Sequence, residues 1–343
     1  MSSHRVRLAA GGLLALVLLY VFFRGMDWEA LGAALRSAHA GHLLGVAGVT
    51  VLVYVARAWR WGYLLDPLGQ VGFADLFSAT MVGFASGLLV PRAGELVRPY
   101  LVSRRYPIPT SAGFATIVLE RVVDLITVLV LFGLYLFVLP APAQQVQGPL
   151  LGFLKLSGVL TGCGVVVLVA VLWAFHVHAD RALARADRLL ARLPDWLARP
   201  LGHALRAFSQ GLAVLQAPVL HLLAILGQSL VVWLLIGLSF HLNHLAFGLT
   251  LPVHATFLLM AFLTVGVAIP TPGMVGGFHA FYLLCLTEAF GVPKGTAAAA
   301  GIAAHALANV PLLGFGLALL GRERLTLGKV ARMTGEEPQE VGT

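Results

Sequence analysis

Long apolar runs constrain this sequence more than any other feature. A helix needs about 20 apolar residues to cross a bilayer, and six runs approach or exceed that length: residues 8–23, 43–65, 113–139, 149–175, 219–247 and 296–320. Hydrophobic residues make up 59% of the 343 positions and charged residues only 11%, which leaves too little polar surface for a soluble domain. The pattern predicts an all-α polytopic membrane protein with about six full transmembrane helices. No small-residue cleavage site follows the first run, so we expect it to be retained as a helix.

Two further apolar stretches, residues 73–105 and 253–290, are interrupted by proline and glycine near their middles. Irregular backbone at membrane depth is tolerated only where it faces protein or a water-filled cavity. Each stretch is therefore predicted to be a re-entrant helical hairpin. The interruptions supply four candidate site residues: Pro91, Gly94, Pro272 and Gly273.

Basic residues are distributed unevenly between the predicted loops. With the N-terminus inside, only Arg24, Arg36 and Lys294 fall on the outer side. The cytoplasmic side holds sixteen, namely Arg5, Arg7, Arg57, Arg60, Arg104, Arg105, Arg181, Arg185, Arg188, Arg192, Arg199, Arg206, Arg322, Arg324, Lys329 and Arg332. Because cytoplasmic loops carry an excess of Lys and Arg, we expect both termini in the cytoplasm.

The two interrupted stretches also resemble each other. Residues 91–94 align with 270–273 and, after a five-residue slip, residues 106–115 align with 290–299. Gly87 aligns with Gly266 at the first offset. Because the hairpins would enter from opposite sides, we predict one transmembrane domain built of two inverted repeats, the arrangement that places a transporter's site between its halves. The domain spans residues 1–325, with repeats at about 1–140 and about 149–322; chance similarity between Gly/Pro-rich segments is the alternative.

Ionisable residues cluster in and after the first hairpin: Arg92, Glu95, Arg98, Glu120, Arg121 and Asp124. Each unpaired charge at a helix centre costs about 2.5–3.5 kcal/mol, so these groups must pair, hydrate or neutralise. Spacings of three and four residues permit the pairs Glu95–Arg98 and Arg121–Asp124 and place Glu120 on the same face as Asp124. One interpretation is a structural network of ion pairs. The other is a phosphate site in which arginines contact the ligand and carboxylates hold them in place.

The second half carries fewer charges, and its candidate site residues are His279 and His305. Packing and hydrogen bonding are one interpretation, and a proton-coupled role is the other. The spacing of His241 and His244 without a nearby carboxylate or Cys does not predict a metal site.

Outside the apolar runs, the segment 26–40 is predicted to be a short amphipathic helix on the outer surface. The Leu/Arg-rich segment 179–216 is predicted to be a cytoplasmic interfacial helix, with a partner-binding helix as the alternative. Residues 326–343 form an acidic tail that we expect to be disordered. The net charge is +8, and the basic residues lie between the apolar runs. They form no patch in which aromatic and basic residues alternate, so nucleic acid is not an expected partner.

Several of these segments resemble the lysylphosphatidylglycerol synthase transmembrane-region family, a flippase-like domain family. The resemblance covers about residues 5–325 and is carried by Arg57-Ala-Trp-Arg-Trp, Leu88-Leu-Val-Pro-Arg-Ala-Gly-Glu-Leu-Val-Arg98, Val118-Leu-Glu-Arg-Val-Val-Asp124, Pro270-Thr-Pro-Gly and Gly291-Val-Pro. There are two departures, because His279 and His305 stand where the family commonly has Glu and Arg. The second-half site is therefore not carried over.

The resemblance implies that the protein moves a phospholipid or a lipid-linked headgroup between leaflets of a bacterial inner membrane. In fused relatives the membrane domain translocates an aminoacylated lipid made by a soluble synthase domain. We expect no such domain after Gly321, so this chain should not aminoacylate lipids by itself. We also expect it to be no enzyme and to use no cofactor, and the sequence has no Gly-x-x-x-x-Gly-Lys-Ser/Thr loop for ATP. The alternatives are an intramembrane enzyme acting on a lipid or polyprenyl phosphate and an accessory subunit of an envelope-lipid synthesis complex. Expected partners beyond the lipid are a second copy or a lipid-synthesis enzyme.

Overall fold

A computed structural model describes most of the chain: residues 13–14, 16–20, 22–90, 93–138, 149–178, 181, 184, 188, 190, 195–269 and 271–323. Within these residues the regular structure is entirely helical, which confirms the all-α polytopic class. Beyond helical residues before Trp28, the helices are α1 (Trp28–Ser37), α2 (Ala40–Leu65), α3 (Phe73–Leu89), α4 (Ala93–Ser103), α5 (Thr110–Phe137), α6 (Pro149–Val177), α7 (Asp195–Gly211), α8 (Val219–Ala246), α9 (Ala255–Ala268), α10 (Gly277–Leu284) and α11 (Lys294–Arg322).

Helices α2, α8 and α11 are long and apolar enough to cross a membrane. Helix α5 is equally long, but its middle carries Glu120, Arg121 and Asp124, so its apolar run is interrupted. Helix α6 covers the predicted span 149–175. The predicted span 8–23 lies largely outside the described residues.

Both interrupted stretches fold as pairs of short helices, α3 with α4 and α9 with α10. Glycines allow each pair to pack backbone against backbone. A Cβ added to Gly94 would lie 2.4 Å from the carbonyl oxygen of Gly83, and one added to Gly277 would lie 2.2 Å from that of Gly266. The predicted hairpins are therefore present, although Pro91, Arg92 and Pro270 at their tips lie outside the described residues.

The glycine contacts correct the register in which the hairpins were aligned. The contacting glycines are eleven positions apart in both hairpins, so Gly83 corresponds to Gly266 and Gly94 to Gly277. The sequence alignment instead matched Gly87 with Gly266, one helical turn away. It was anchored on the proline–glycine turns, whereas close approach of the two helices is the feature that the hairpins share.

The hairpins enter the helical bundle from opposite ends. At one end Glu323, just after α11, accepts a hydrogen bond from Ser78 Oγ (2.7 Å) and pairs with Arg105 at 3.1 Å, which ties it to the open end of the first hairpin. At the other end Lys294 Nζ, at the start of α11, donates to the carbonyl oxygen of Arg24 at 2.5 Å. The second hairpin joins α11 at this end through the short linker 291–293.

Polar contacts at the open end of the first hairpin connect the start of α3 to the chain just after α4. Arg105 pairs with Asp75 near the start of α3. The hydroxyl of Tyr106 donates a hydrogen bond to Asp75 at 2.7 Å, and this bond raises the pKa of Tyr106. The two ends of the hairpin are thereby held together.

Helices α2 and α8 are packed antiparallel along their lengths. A Cβ on Gly45 would lie 3.3 Å from the side chain of Leu242, and His221 Nε2 lies 2.9 Å from the carbonyl oxygen of Tyr63. Each hairpin crosses to the other half, because α3 packs on α11 and α9 packs on α5. Antiparallel equivalent helices and exchanged hairpins are the geometry of an inverted repeat.

The shorter amphipathic segments are helical where they are described. Helix α1 begins at Asp27, whose side chain accepts a hydrogen bond from the backbone N–H of Ala30 at 2.9 Å, as an N-cap residue does. Within 179–216 the chain forms α7 and a 3₁₀ turn at Leu212–Gln216, with Arg181 and Arg188 exposed. Arg185, Arg192 and the tail 326–343 lie outside the described residues.

Candidate functional site

Glu120, in the middle of α5, is fully buried and surrounded by guanidinium groups. Arg98 of the first hairpin binds it through two parallel hydrogen bonds of 3.0 and 2.9 Å. Arg121 Nη2 donates to the same carboxylate at 2.9 Å, and Arg60 Nη2 lies 3.4 Å away. Paired hydrogen bonds between ionised groups are among the strongest in proteins, so this contact fixes the hairpin against α5.

Asp124, one turn further along α5, connects the first half of the chain to the second. Its Oδ1 accepts hydrogen bonds from Arg60 Nη1 at 2.6 Å and from Trp233 Nε1 of α8 at 3.0 Å. Arg60 Nη1 also donates to Ser229 Oγ of α8 at 2.6 Å. The two carboxylates therefore join α2, α4, α5 and α8.

Four of the predicted site residues form this network: Arg98, Glu120, Arg121 and Asp124. The predicted Arg121–Asp124 pair is present at 3.6 Å. The predicted Glu95–Arg98 pair is wrong, because Arg98 turns towards Glu120 and the exposed Glu95 makes no ion pair with any described residue. Arg98 therefore pairs with Glu120 on α5, which accepts two hydrogen bonds from it, and not with Glu95, three residues away on its own helix.

The assignment of Arg57 and Arg60 to the cytoplasmic side is wrong, and it conflicts with the predicted span 43–65, which contains both. Both lie inside α2, where Arg60 is fully buried and Arg57 is 9% exposed. The sequence contained an indication of their burial, because the two arginines are three residues apart on one helical face, beside Trp61. In the structure Trp61 is buried, and its Nε1 donates a hydrogen bond to Thr116 Oγ1 at 3.0 Å. Nothing in the sequence indicated Ser229 or Trp233.

A cavity of about 340 Å³ lies between the two hairpins. Its polar wall is formed by Glu95, Arg98 and Arg121, and the rest of its lining is Phe84, Gly87, Gly94, Ile117, Val267, Ala268, Ile269, Thr271 and Met274. The tips approach each other here, since a Cβ on Gly273 would lie 3.9 Å from the side chain of Leu88. Pockets of this size with few polar groups are typical of small-molecule sites.

The second-half candidates meet at the tip of the second hairpin. The rings of His279 and His305 have centroids 4.7 Å apart. His305 Nε2 donates to the carbonyl oxygen of Gly273 at 2.9 Å, and Gly273 adopts a positive φ of 62° in the short turn that begins at Pro272. This contact fixes the second hairpin tip to α11, as Arg98 fixes the first hairpin to α5. No described group of three His, Cys, Asp or Glu side chains has the arrangement of a metal site.

These features define a polytopic helical membrane protein in which two hairpins enclose an arginine-bearing internal cavity. The chain belongs to the lysylphosphatidylglycerol synthase TM region family, whose model matches residues 8–316.

Two curated relatives are similar over part of the chain. Glycosyltransferase AglD of Haloferax volcanii is 32% identical over 207 residues, which are 54% of this chain and 32% of that protein. UPF0104 membrane protein MJ1595 of Methanocaldococcus jannaschii is 33% identical over 78 residues, 22% of this chain and 23% of that protein. The matches thus cover about a third and about a quarter of these relatives' lengths.

Proposed function

We propose that this protein moves a phospholipid, or a lipid-linked headgroup, between the leaflets of a bacterial inner membrane. Both termini would face the cytoplasm. The observation that carries the proposal is the cavity between the hairpins, whose wall includes Arg98 and Arg121.

Anion binding is the chemistry that this wall favours. A guanidinium group matches phosphate oxygens with paired, charge-assisted hydrogen bonds. Arg121 is available for such contacts because 41% of its side chain is exposed, whereas Arg98 is 2% exposed and is held by Glu120. The carboxylates would keep the arginines in place between substrates.

In the proposed cycle the headgroup passes through the cavity while the acyl chains remain in the bilayer. The hairpins enter from opposite ends, and each packs on a long helix of the other half. Opposed movements of the two halves would therefore open the cavity to one leaflet at a time, as in other transporters with inverted repeats.

Group transfer on a lipid phosphate is the second candidate. The relative from Haloferax volcanii is named a glycosyltransferase, and the match covers 54% of this chain but only 32% of that protein. If group transfer is the function, this chain would be either an intramembrane enzyme or the membrane partner of a lipid-synthesis enzyme. A chemical product then distinguishes it from translocation.

The test is a reconstitution of the purified protein in liposomes with acyl-labelled phospholipids. Leaflet exchange is followed by chemical reduction of outward-facing label, and lipid extracts are analysed for covalent change. Exchange without a new product supports translocation. A covalent product with no exchange of any lipid would contradict it and would favour group transfer.

Arg121→Gln tests the role of the cavity wall. We expect exchange to fall by about tenfold, because a charged hydrogen bond to phosphate is worth about 1.5–3 kcal/mol. Arg36→Gln removes the same charge from exposed helix α1 and serves as the matched control, with exchange unchanged. Equal exchange in both variants would mean that Arg121 does not bind the headgroup.

A further inference from the structure

The ion-pair network beside the cavity holds more positive than negative charge. We propose, building on the function above, that the headgroup carried here has about two negative charges, as in a phosphomonoester or a diphosphate. Arg57, a buried arginine of α2, would be one of the residues that select it.

The network contains more arginines than carboxylates. Four arginines belong to it, Arg57, Arg60, Arg98 and Arg121, and two carboxylates oppose them, Glu120 and Asp124. Three of the arginines are shielded from water, since the side chains of Arg57, Arg60 and Arg98 are 11%, 0% and 2% exposed. The fourth, Arg121, is 41% exposed and faces the cavity. Arginine keeps its charge in proteins. Two positive charges in the network are therefore left without a counter-charge of their own.

Glu95 is the remaining charge on the cavity wall, and it does not close the gap. Its side chain is exposed and makes no ion pair within the described part of the chain. Water screens an exposed carboxylate far more than a buried one. An uncompensated charge away from water is costly, which makes an anionic occupant the most direct source of compensation.

Hydrogen-bond donors in the network point to the same occupant. Arg57 Nη1, Arg98 Nε and Arg121 Nε are buried and have no hydrogen-bond partner. Their three guanidinium groups lie 5.2, 5.2 and 5.9 Å from the centre of the Phe84 ring, which itself lines the cavity. A phosphomonoester offers three terminal oxygens and about two charges near neutral pH, whereas a phosphodiester offers two oxygens and one charge.

Arg57 is the least compensated member of the network. Its closest carboxylate oxygen, Oδ2 of Asp124, is 3.7 Å away, while Arg60 occupies the other oxygen at 2.6 Å. Asp124 Oδ2 has no hydrogen-bond partner, and Arg57 contacts it only at ion-pair distance. Arg57 stands behind the cavity wall, with its guanidinium group 5.2 Å from the ring of Phe84, which lines the cavity. Its charge can act on an anion there through space.

The experiment compares acyl-labelled phosphatidic acid, a phosphomonoester, with phosphatidylglycerol, a phosphodiester with the same chains, in the same proteoliposomes. We expect phosphatidic acid to exchange at least about tenfold faster. Equal rates, or faster exchange of phosphatidylglycerol, would overturn this inference and leave translocation standing. No exchange of any phospholipid would instead contradict the proposed function itself.

Arg57→Gln and Arg57→Lys form a matched pair for the second part of the claim. Arg57→Gln should lose most of the preference for phosphatidic acid and should raise the melting temperature of the lipid-free protein in detergent, because an uncompensated buried charge is removed. Arg57→Lys, which keeps the charge, should retain the preference. A preference unchanged in Arg57→Gln, with the protein folded, would exclude Arg57 from the site.

Discussion

At the residue scale, the position of each charge in the network decides what its removal does. Glu120 receives hydrogen bonds from Arg98 and Arg121 and lies 3.4 Å from Arg60, so it neutralises a cluster that is already too positive. Arg57 makes no hydrogen bond to either carboxylate within the described network. Substitution of an acid and of a base in one cluster should therefore change stability in opposite directions.

Glu120→Gln is expected to destabilise the protein by about 3–5 kcal/mol, because it leaves buried guanidinium groups without their counter-charge. Thermal unfolding in detergent, followed by intrinsic fluorescence, measures the change. Glu288→Gln on an exposed site is the control and should shift the unfolding free energy by less than about 0.5 kcal/mol. A Glu120→Gln protein as stable as this control would show that the ion pairs contribute little to the fold.

At the scale of elements, each hairpin depends on the contact between its two glycines. In α4 and α10 the missing Cβ lets a neighbouring carbonyl oxygen approach to a distance that no other residue permits. The same eleven-residue spacing in both hairpins makes the contact a property of the hairpin design.

Gly94→Ala and Gly277→Ala should each destabilise the protein by about 1–3 kcal/mol or more, because the added methyl group overlaps a backbone carbonyl that cannot rotate away. The melting temperature in detergent is the measurement. Gly162→Ala in α6 is the control, since a Cβ there meets no atom within 4 Å and alanine favours a helix. If both hairpin variants had the same melting temperature as Gly162→Ala, the close packing of the hairpin helices would be contradicted.

At the scale of the whole molecule, the two ends of the bundle should lie on opposite sides of the membrane. The first hairpin opens at the end marked by Glu323, and the second opens at the end marked by Lys294. Alternating access by opposed halves requires this arrangement, because each hairpin then belongs to one side.

Single-cysteine labelling tests the arrangement. In a Cys163→Ser, Cys285→Ala background, Arg36→Cys should react with a membrane-impermeant maleimide in intact cells. Gln70→Cys, exposed at the other end, should react only after the cells are opened. Labelling of both positions from the same side would refute the opposed hairpins and the proposed orientation together.

The sequence predicted the local features well. Run length and composition were sufficient for the helical membrane class, and proline and glycine marked the two hairpins. Glu120, Arg121 and Asp124 stood out as a cluster because charges are rare in apolar segments. Each of these inferences uses properties that neighbouring residues carry within one helix, namely hydropathy and backbone freedom.

Partners and register were decided only by the tertiary structure. Asp124 binds Arg60, which is 64 residues away, and Trp233, which is 109 residues away, so no spacing rule within a helix could identify them. A count of basic residues by side of the membrane contains no partners, and for that reason it assigned Arg57 and Arg60 to the cytoplasmic side although both lie within the predicted span 43–65. The sequence by itself determined that this chain lies in a membrane and that its two interrupted apolar stretches fold as hairpins. The excess of positive charge between those hairpins arises only when four helices pack together, because the compensation of a buried charge depends on which groups meet it in space.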